Sequence, residues 1–170
     1  MVILPTVGVL ALQGDFSEHV VVLHRLGASV REVRTSEQLA LVDALIIPGG
    51  ESTTMATLMD IYELREPILD HARAGKPVWG TCAGMVLLAS RLVETIPTPL
   101  NLMDILVQRN GFGRQIDSFE TDFEVKGLGE PPIHGVFIRA PLVREVGSTV
   151  EVLAQLSTGS IVAVRQGPIL

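Results

Sequence analysis

Cysteine, aromatic residues and positive charge are all scarce in this sequence. Its 170 residues include one cysteine, one tryptophan and one tyrosine, and aromatics make up 4% of the chain. A single cysteine excludes an intramolecular disulfide and a cysteine-rich zinc site, and it suits a reducing compartment, so a cytoplasmic location is expected. No apolar run approaches the ~20 residues that span a bilayer. The opening Met1-Val2-Ile3-Leu4-Pro5 lacks the basic stretch and small-residue cleavage site of a signal peptide. A net charge of −6 argues against general binding to nucleic acid, which depends on neutralising phosphates. Lys76 and Lys126 are the only lysines. There is no linker, internal repeat or low-complexity tract. What the chain does have is apolar mass: 47% of residues, weighted towards alanine, valine and leucine, with 16 glycines. That is the composition of a compact, single-domain α/β enzyme with a substantial core.

The most informative stretch is Val78-Trp79-Gly80-Thr81-Cys82-Ala83-Gly84-Met85-Val86-Leu87-Leu88-Ala89. A short apolar run leads into a cysteine set between two glycines, and a helix-forming segment follows. This is the layout of a nucleophile elbow, where a strand turns sharply into a helix and lifts one side chain above the sheet edge. So tight a turn leaves no room for a Cβ two residues to either side. The helix N-terminus is expected to favour the thiolate. A lone cysteine is more often an inert buried hydrophobe. The flanking glycines, the strand-then-helix context and the lack of a competing cysteine together favour Cys82 as a nucleophile.

Read in order, residues 6–12 predict a buried strand, with a turn at Gln13-Gly14. Asp15-Phe16-Ser17-Glu18 has capping-box form and opens a helix whose Phe16, Val20, Leu23 and Leu26 share a face, ending at Gly27. Strands are expected at 28–33 and 44–48, with a short helical turn at 36–41 between them. The first and third of these three strands are apolar throughout, and such runs suit a parallel sheet covered on both faces. Gly49-Gly50-Glu51-Ser52-Thr53-Thr54 leads into a helix through Met55, Leu58 and Met59. A second helix over 62–74 closes at Gly75 before the elbow strand. The alternation predicts a doubly wound, mostly parallel sheet with Gln13, Gly49-Gly50 and Cys82 at the carboxyl ends of its strands, where ligands bind. The second half differs. After the rigid Ile96-Pro97-Thr98-Pro99-Leu100, short strands are expected at 106–108, 119–125, 134–139, 150–155 and 161–165, appended antiparallel to the core.

A thiolate on an elbow needs oxyanion donors, a base and a substrate anchor. The Ala83 N–H is the natural first donor, and the Gly49-Gly50 loop can supply another. Ser52 reads equally well as a plain helix N-cap. Of the four histidines, His19, His24 and His71 fall on helices as solvated or packed residues, and His134 reads as a loop residue without a role. No partner for the nucleophile emerges from sequence order.

These residues carry a resemblance. The strings Gly8-Val9-Leu10-Ala11-Leu12-Gln13-Gly14, Pro48-Gly49-Gly50-Glu51-Ser52-Thr53-Thr54-Met55, Gly80-Thr81-Cys82-Ala83-Gly84, Arg109-Asn110-Gly111-Phe112-Gly113-Arg114-Gln115, Gly135-Val136-Phe137-Ile138-Arg139-Ala140-Pro141 and Val162-Ala163-Val164-Arg165-Gln166-Gly167 run in order along the chain. It resembles the class I, triad-type glutamine amidotransferases, and within them the glutaminase subunits of pyridoxal 5′-phosphate synthase. The elbow marks the superfamily, and the Gly-Gly-Glu-Ser-Thr-Thr and Arg-Asn-x-Phe-Gly-Arg-Gln strings mark the narrower group. The resemblance implies hydrolysis of L-glutamine to glutamate, with ammonia passed to a (β/α)8-barrel synthase subunit in a large hetero-oligomer that switches the activity on. By the family pattern Cys82 attacks the side-chain amide, and the Gly50 and Ala83 N–H groups hold the oxyanion. Gly50, Glu51, Ser52, Arg109, Ile138 and Arg139 line the glutamine site. Neither cofactor nor metal is expected.

One departure stands out. The family's base and orienting acid come as His-Pro-Glu shortly after the Arg-Gln-Gly segment, whereas this sequence ends at Gly167-Pro168-Ile169-Leu170. Losing such a histidine costs on the order of six orders of magnitude in turnover. Because Pro168-Ile169-Leu170 reads like the start of another apolar strand, the expectation is a single domain lacking its C-terminal end. The rival expectation is an inert glutamine-binding or scaffolding subunit that has lost the triad.

Overall fold

The computed structural model describes residues 4–111 and 118–170. The first half alternates strand and helix: β1 (Thr6–Leu10), α1 (Phe16–Arg25), β2 (Ser29–Val33), α2 (Ser36–Ala40), β3 (Ala44–Ile47), α3 (Ser52–Ile61), α4 (Arg65–Arg73), β4 (Val78–Gly80) and α5 (Ala83–Leu88). The four strands form a parallel sheet in the order β2-β1-β3-β4. The chain steps outward from β1 to β2 and then crosses back to β3, so the switch point lies between β1 and β3, where such folds open a crevice. The loop carrying Gln13 and the loop carrying Gly49-Gly50 flank that crevice, with the elbow beside them.

The second half supplies β5 (Ala89–Leu92), β6 (Met103–Gln108), β7 (Phe119–Phe123), β8 (Ile133–Phe137), β9 (Leu142–Val146), β10 (Glu151–Gln155) and β11 (Ile161–Arg165). Five of these make a sheet ordered β10-β11-β9-β6-β5, antiparallel except for the β5–β6 pair, while β7 and β8 form a separate hairpin. The expected antiparallel strands are present, but β5 and β9 were not foreseen. The free edge of β4 is also occupied: Val78 pairs in parallel with Ile169, and the Gly80 N–H donates to the Leu170 carbonyl over 2.8 Å.

A single cluster of buried side chains joins the halves. Leu10, Ile47, Met55, Leu87 and Ile105 are fully buried in it, each contributing roughly 1.5–3 kcal/mol of gross burial. Helix α1 departs from expectation. Asp15 has no capping side-chain bond, and Glu18 instead accepts from the Ser17 hydroxyl at 2.9 Å, so the capping box is not made. Leu26, placed on the inner face by periodicity, is 76% exposed. No helix among the described residues is long and apolar enough to cross a membrane.

Candidate active site

The glycines around the cysteine are there for space. A Cβ on Gly84 would stand 2.1 Å from the Ile47 carbonyl oxygen, and one on Gly80 would stand 2.5 Å from the Gly84 carbonyl carbon. Without them α5 could not seat against β3 and β4. The turn they permit leaves Cys82 at φ 52°, ψ −106°. That is unusual for a residue with a side chain and is the kind of strain that gathers at functional sites. The Thr81 N–H bonds the Ile47 carbonyl at 3.0 Å, and the Thr81 carbonyl receives the Gly84 N–H at 2.8 Å, pinning the turn from both sides.

The Cys82 side chain is exposed. Loss of solvation in its crowded surroundings pushes the thiol up from its ordinary value. The N–H groups of Ala83 and Gly50 pull it down, and the nearby Asp15 carboxylate pushes it further up. The net direction is upward, so the resting group is the thiol. The expected helix-stabilised thiolate is not found: α5 has six residues, too short for a strong dipole, and among the described residues no cation offsets the desolvation.

The loop after β3 packs against the loop after β1. The Asp15 N–H donates to the Gly49 carbonyl at 3.0 Å, and the Glu51 N–H donates to Gln13 Oε1 at 2.9 Å. Gly50 has φ 150°, and a Cβ there would lie 2.6 Å from Gln13 Oε1. Glycine is therefore required where the backbone N–H must face the cysteine. Glu51, rather than Ser52, is the N-cap of α3. Its carboxylate accepts the N–H groups of Thr53 and Thr54 at 3.0 and 2.7 Å and the Thr54 hydroxyl at 2.8 Å. Ser52 is the first helical residue and is buried. Burial pushes the Glu51 carboxyl up, but these bonds outweigh it and hold the pKa at about 2. Arg109 reaches the same carboxylate, Nη2 to Oε1 at 2.9 Å, while its Nη1 donates to the Ile96 carbonyl at 3.1 Å.

The structure thus gathers Cys82, Ala83, Gly50, Glu51 and Arg109 at one edge, with Ser52 beneath. Ile138 and Arg139 follow β8 and are exposed, Arg139 with φ 48°. No hydrogen bond or ion pair among the described residues ties either to that cluster. Phe112, Gly113, Arg114 and Gln115 of the Arg-Asn-x-Phe-Gly-Arg-Gln string lie outside the described residues. A cavity of about 960 Å³ runs between β7 and β10 past Phe119, Phe123 and Leu153, and does not include Cys82, Glu51 or Arg109. Among the described residues no group of three or more His, Cys, Asp or Glu is arranged to hold a metal.

None of the histidines touches the sulfur. His71 is buried beside the start of β4, at the opposite end of the sheet. His134 lies on the hairpin between Asp122 and Glu120, at 2.7 and 3.1 Å, which raise its pKa. His24 is exposed near the end of α1. His19 bonds Thr81. Sequence reasoning missed Asp15 and His19 as neighbours of the elbow, because both contacts are made across the fold.

Almost the whole chain is similar to known proteins. Residues 9–170 match the SNO glutamine amidotransferase family. A pyridoxal 5′-phosphate synthase subunit PdxT of Herpetosiphon aurantiacus is 56% identical over 169 residues, 97% of this chain and 88% of that protein. One of the same name from Rhodococcus jostii is 50% identical over 174 residues, covering 98% and 86%. A crystal structure described as a glutamine amidotransferase superposes with TM-score 0.89 at 49% identity, covering 96% of this chain and 86% of the other. PurLQS of Thermotoga maritima, at 14% identity and TM-score 0.67, shares the fold alone.

Proposed function

Because the chain belongs to the SNO glutamine amidotransferase family, we propose that it is the glutaminase subunit of a pyridoxal 5′-phosphate synthase, freeing ammonia from L-glutamine for a (β/α)8-barrel synthase subunit. Its relatives of 50% identity and more carry that subunit's name. The observation that carries the chemistry is Cys82, lifted on a strained elbow beside the Gly50 and Ala83 N–H groups.

In this reading Cys82 Sγ attacks the Cδ of glutamine's side-chain amide. The C–S bond forms as the carbonyl electron pair moves to oxygen, and the Gly50 and Ala83 N–H groups stabilise the resulting oxyanion. The thiol proton goes to a base and from there to the amide nitrogen, which leaves as ammonia when the C–N bond breaks. Water then opens the thioester to glutamate. None of the described histidines is placed to be that base. Arg109 suits the α-carboxylate of a free amino acid, as a guanidinium pairs with a carboxylate through parallel N–H bonds. Glu51, Ser52, Ile138 and Arg139 complete the proposed pocket wall.

The test is ammonia release from glutamine by the natural gene product, with and without the synthase subunit. Wild type turns over with the partner present. Cys82→Ala abolishes turnover and the thioester while still binding the partner, and turnover by Cys82→Ala would refute the assignment. Partner binding without any ammonia release by wild type would instead indicate an inert subunit.

A further inference from the structure

Helix α1 has no fully buried side chain, yet one of its residues reaches the elbow. His19 Nε2 lies 3.2 Å from Thr81 Oγ1. The His19 ring stands edge-on to Trp79, with centroids 5.8 Å apart and planes at 80°. Trp79 and Thr81 flank Gly80, and Thr81 directly precedes Cys82. The Thr81 backbone is held by Ile47 and Gly84. Its side chain is held by His19, sixty-two positions away in sequence.

We propose that His19 is a positioning residue for the nucleophile. It fixes the Thr81 side chain and, through Thr81, the backbone that presents Cys82. A strained dihedral such as that of Cys82 survives only where its neighbours over-determine it, and the His19 contact is one of those determinants. The bond runs to Thr81, so His19 does not take part in the proton transfers. Burial lowers the His19 pKa against the opposing pull of Asp15 and Glu18. The ring is therefore neutral near neutral pH, and either tautomer can bond a hydroxyl. The inference rests on Cys82 being the nucleophile.

The test uses the natural gene product with saturating synthase subunit. The variants are His19→Phe, which keeps an aromatic edge on Trp79, Thr81→Val, Thr81→Ser and the double variant His19→Phe/Thr81→Val. The expected result is a fall of about tenfold in glutaminase kcat for His19→Phe and for Thr81→Val, as for one lost hydrogen bond, with KM for glutamine changed less than twofold. The double variant is no slower than either single, as expected when one shared contact is removed, and Thr81→Ser restores the rate. In the isolated subunit, the rate of Cys82 alkylation by iodoacetamide shifts in both single variants and returns in Thr81→Ser. A lower Tm with unchanged kcat would overturn the proposal and leave His19 as an anchor for α1. Multiplicative losses in the double variant would also overturn it, as would lost turnover with unchanged alkylation, which assigns His19 to partner contact. Persisting activity in Cys82→Ala would show instead that the nucleophile assignment had failed.

Discussion

Replacing Glu51 by glutamine keeps the side chain's length but removes its charge and one acceptor oxygen. In the structure Oε1 takes the Thr53 N–H and Arg109 Nη2, and Oε2 takes the Thr54 N–H and hydroxyl. An amide NH2 can accept none of these, so either orientation of the glutamine loses two contacts. A carboxyl pKa brought from 4.5 to about 2 corresponds to at most about 3.4 kcal/mol by linkage. The side chain is 50% exposed, and screening by water cuts that to about 1–2 kcal/mol, in line with the loss of a helix cap.

The pH dependence has a definite sign. A carboxyl whose pKa is depressed by folding adds stability in full above about 4.5, and that stability is lost as pH falls towards about 2. Urea unfolding is expected to show Glu51→Gln less stable than wild type by about 1–2 kcal/mol at pH 7. Its Tm falls by about 3–6 °C, by the scaling for a domain of this size. Between pH 4.5 and 2.5 the deficit shrinks. A deficit that is absent at pH 7, or unchanged on acidification, would refute the assignment of Glu51 as a charged cap.

Two further predictions concern the elbow. Gly84→Ala puts a Cβ 2.1 Å from the Ile47 carbonyl oxygen, and backbone on both sides cannot yield. Thermal unfolding is expected to show a loss of about 3 kcal/mol or more, whereas Gly49→Ala, with its nearest neighbours 3.5 Å away, stays within about 0.5 kcal/mol of wild type. Asp15→Asn removes a negative charge that disfavours the thiolate, so the Cys82 pKa falls and iodoacetamide alkylation at pH 7 speeds up. A slower reaction would contradict that placement of charge.

The centre of the parallel half was legible because β1 and β3 are covered on both faces and read as unbroken apolar runs, with Val9 and Leu10 in β1 and Ile46 and Ile47 in β3. The elbow was legible because its glycines answer to local sterics. Strand β5 was not, since Ala89-Ser90-Arg91-Leu92 follows α5 directly with no turn residue between them, and four residues are too few to carry a period that separates helix from strand. The α3 cap was misassigned to Ser52 because serine is the commoner capping residue; only the bonds from Thr53 and Thr54 identify Glu51. The Asp15–Glu18 box failed because Ser17 takes up Glu18. His19–Thr81 and Glu51–Arg109 join residues far apart in sequence, and single-sequence patterns carry no trace of such pairs.

The two partners in the Glu51–Arg109 pair are not held equally, and this decides which of them can move for substrate. Glu51 keeps three bonds to the first turn of α3 if Arg109 departs, so its carboxylate stays where it is. Among the described residues the Arg109 side chain bonds only the carboxylate and the Ile96 carbonyl, while its backbone N–H is fixed separately by Glu94 Oε2 at 3.1 Å. An ion pair with one partner half in water is worth no more than about 1 kcal/mol, so a substrate carboxylate can displace Glu51 from the guanidinium. Glu51 is then the fixed wall of the proposed pocket and Arg109 its adaptable arm. Arg109→Met is expected to raise KM for glutamine by about ten- to a hundredfold, the loss of one charge-assisted contact, with a smaller effect on kcat. A glutamine-bound structure in which Glu51 has left Thr53 and Thr54 while Arg109 keeps its present bonds would refute this division of roles.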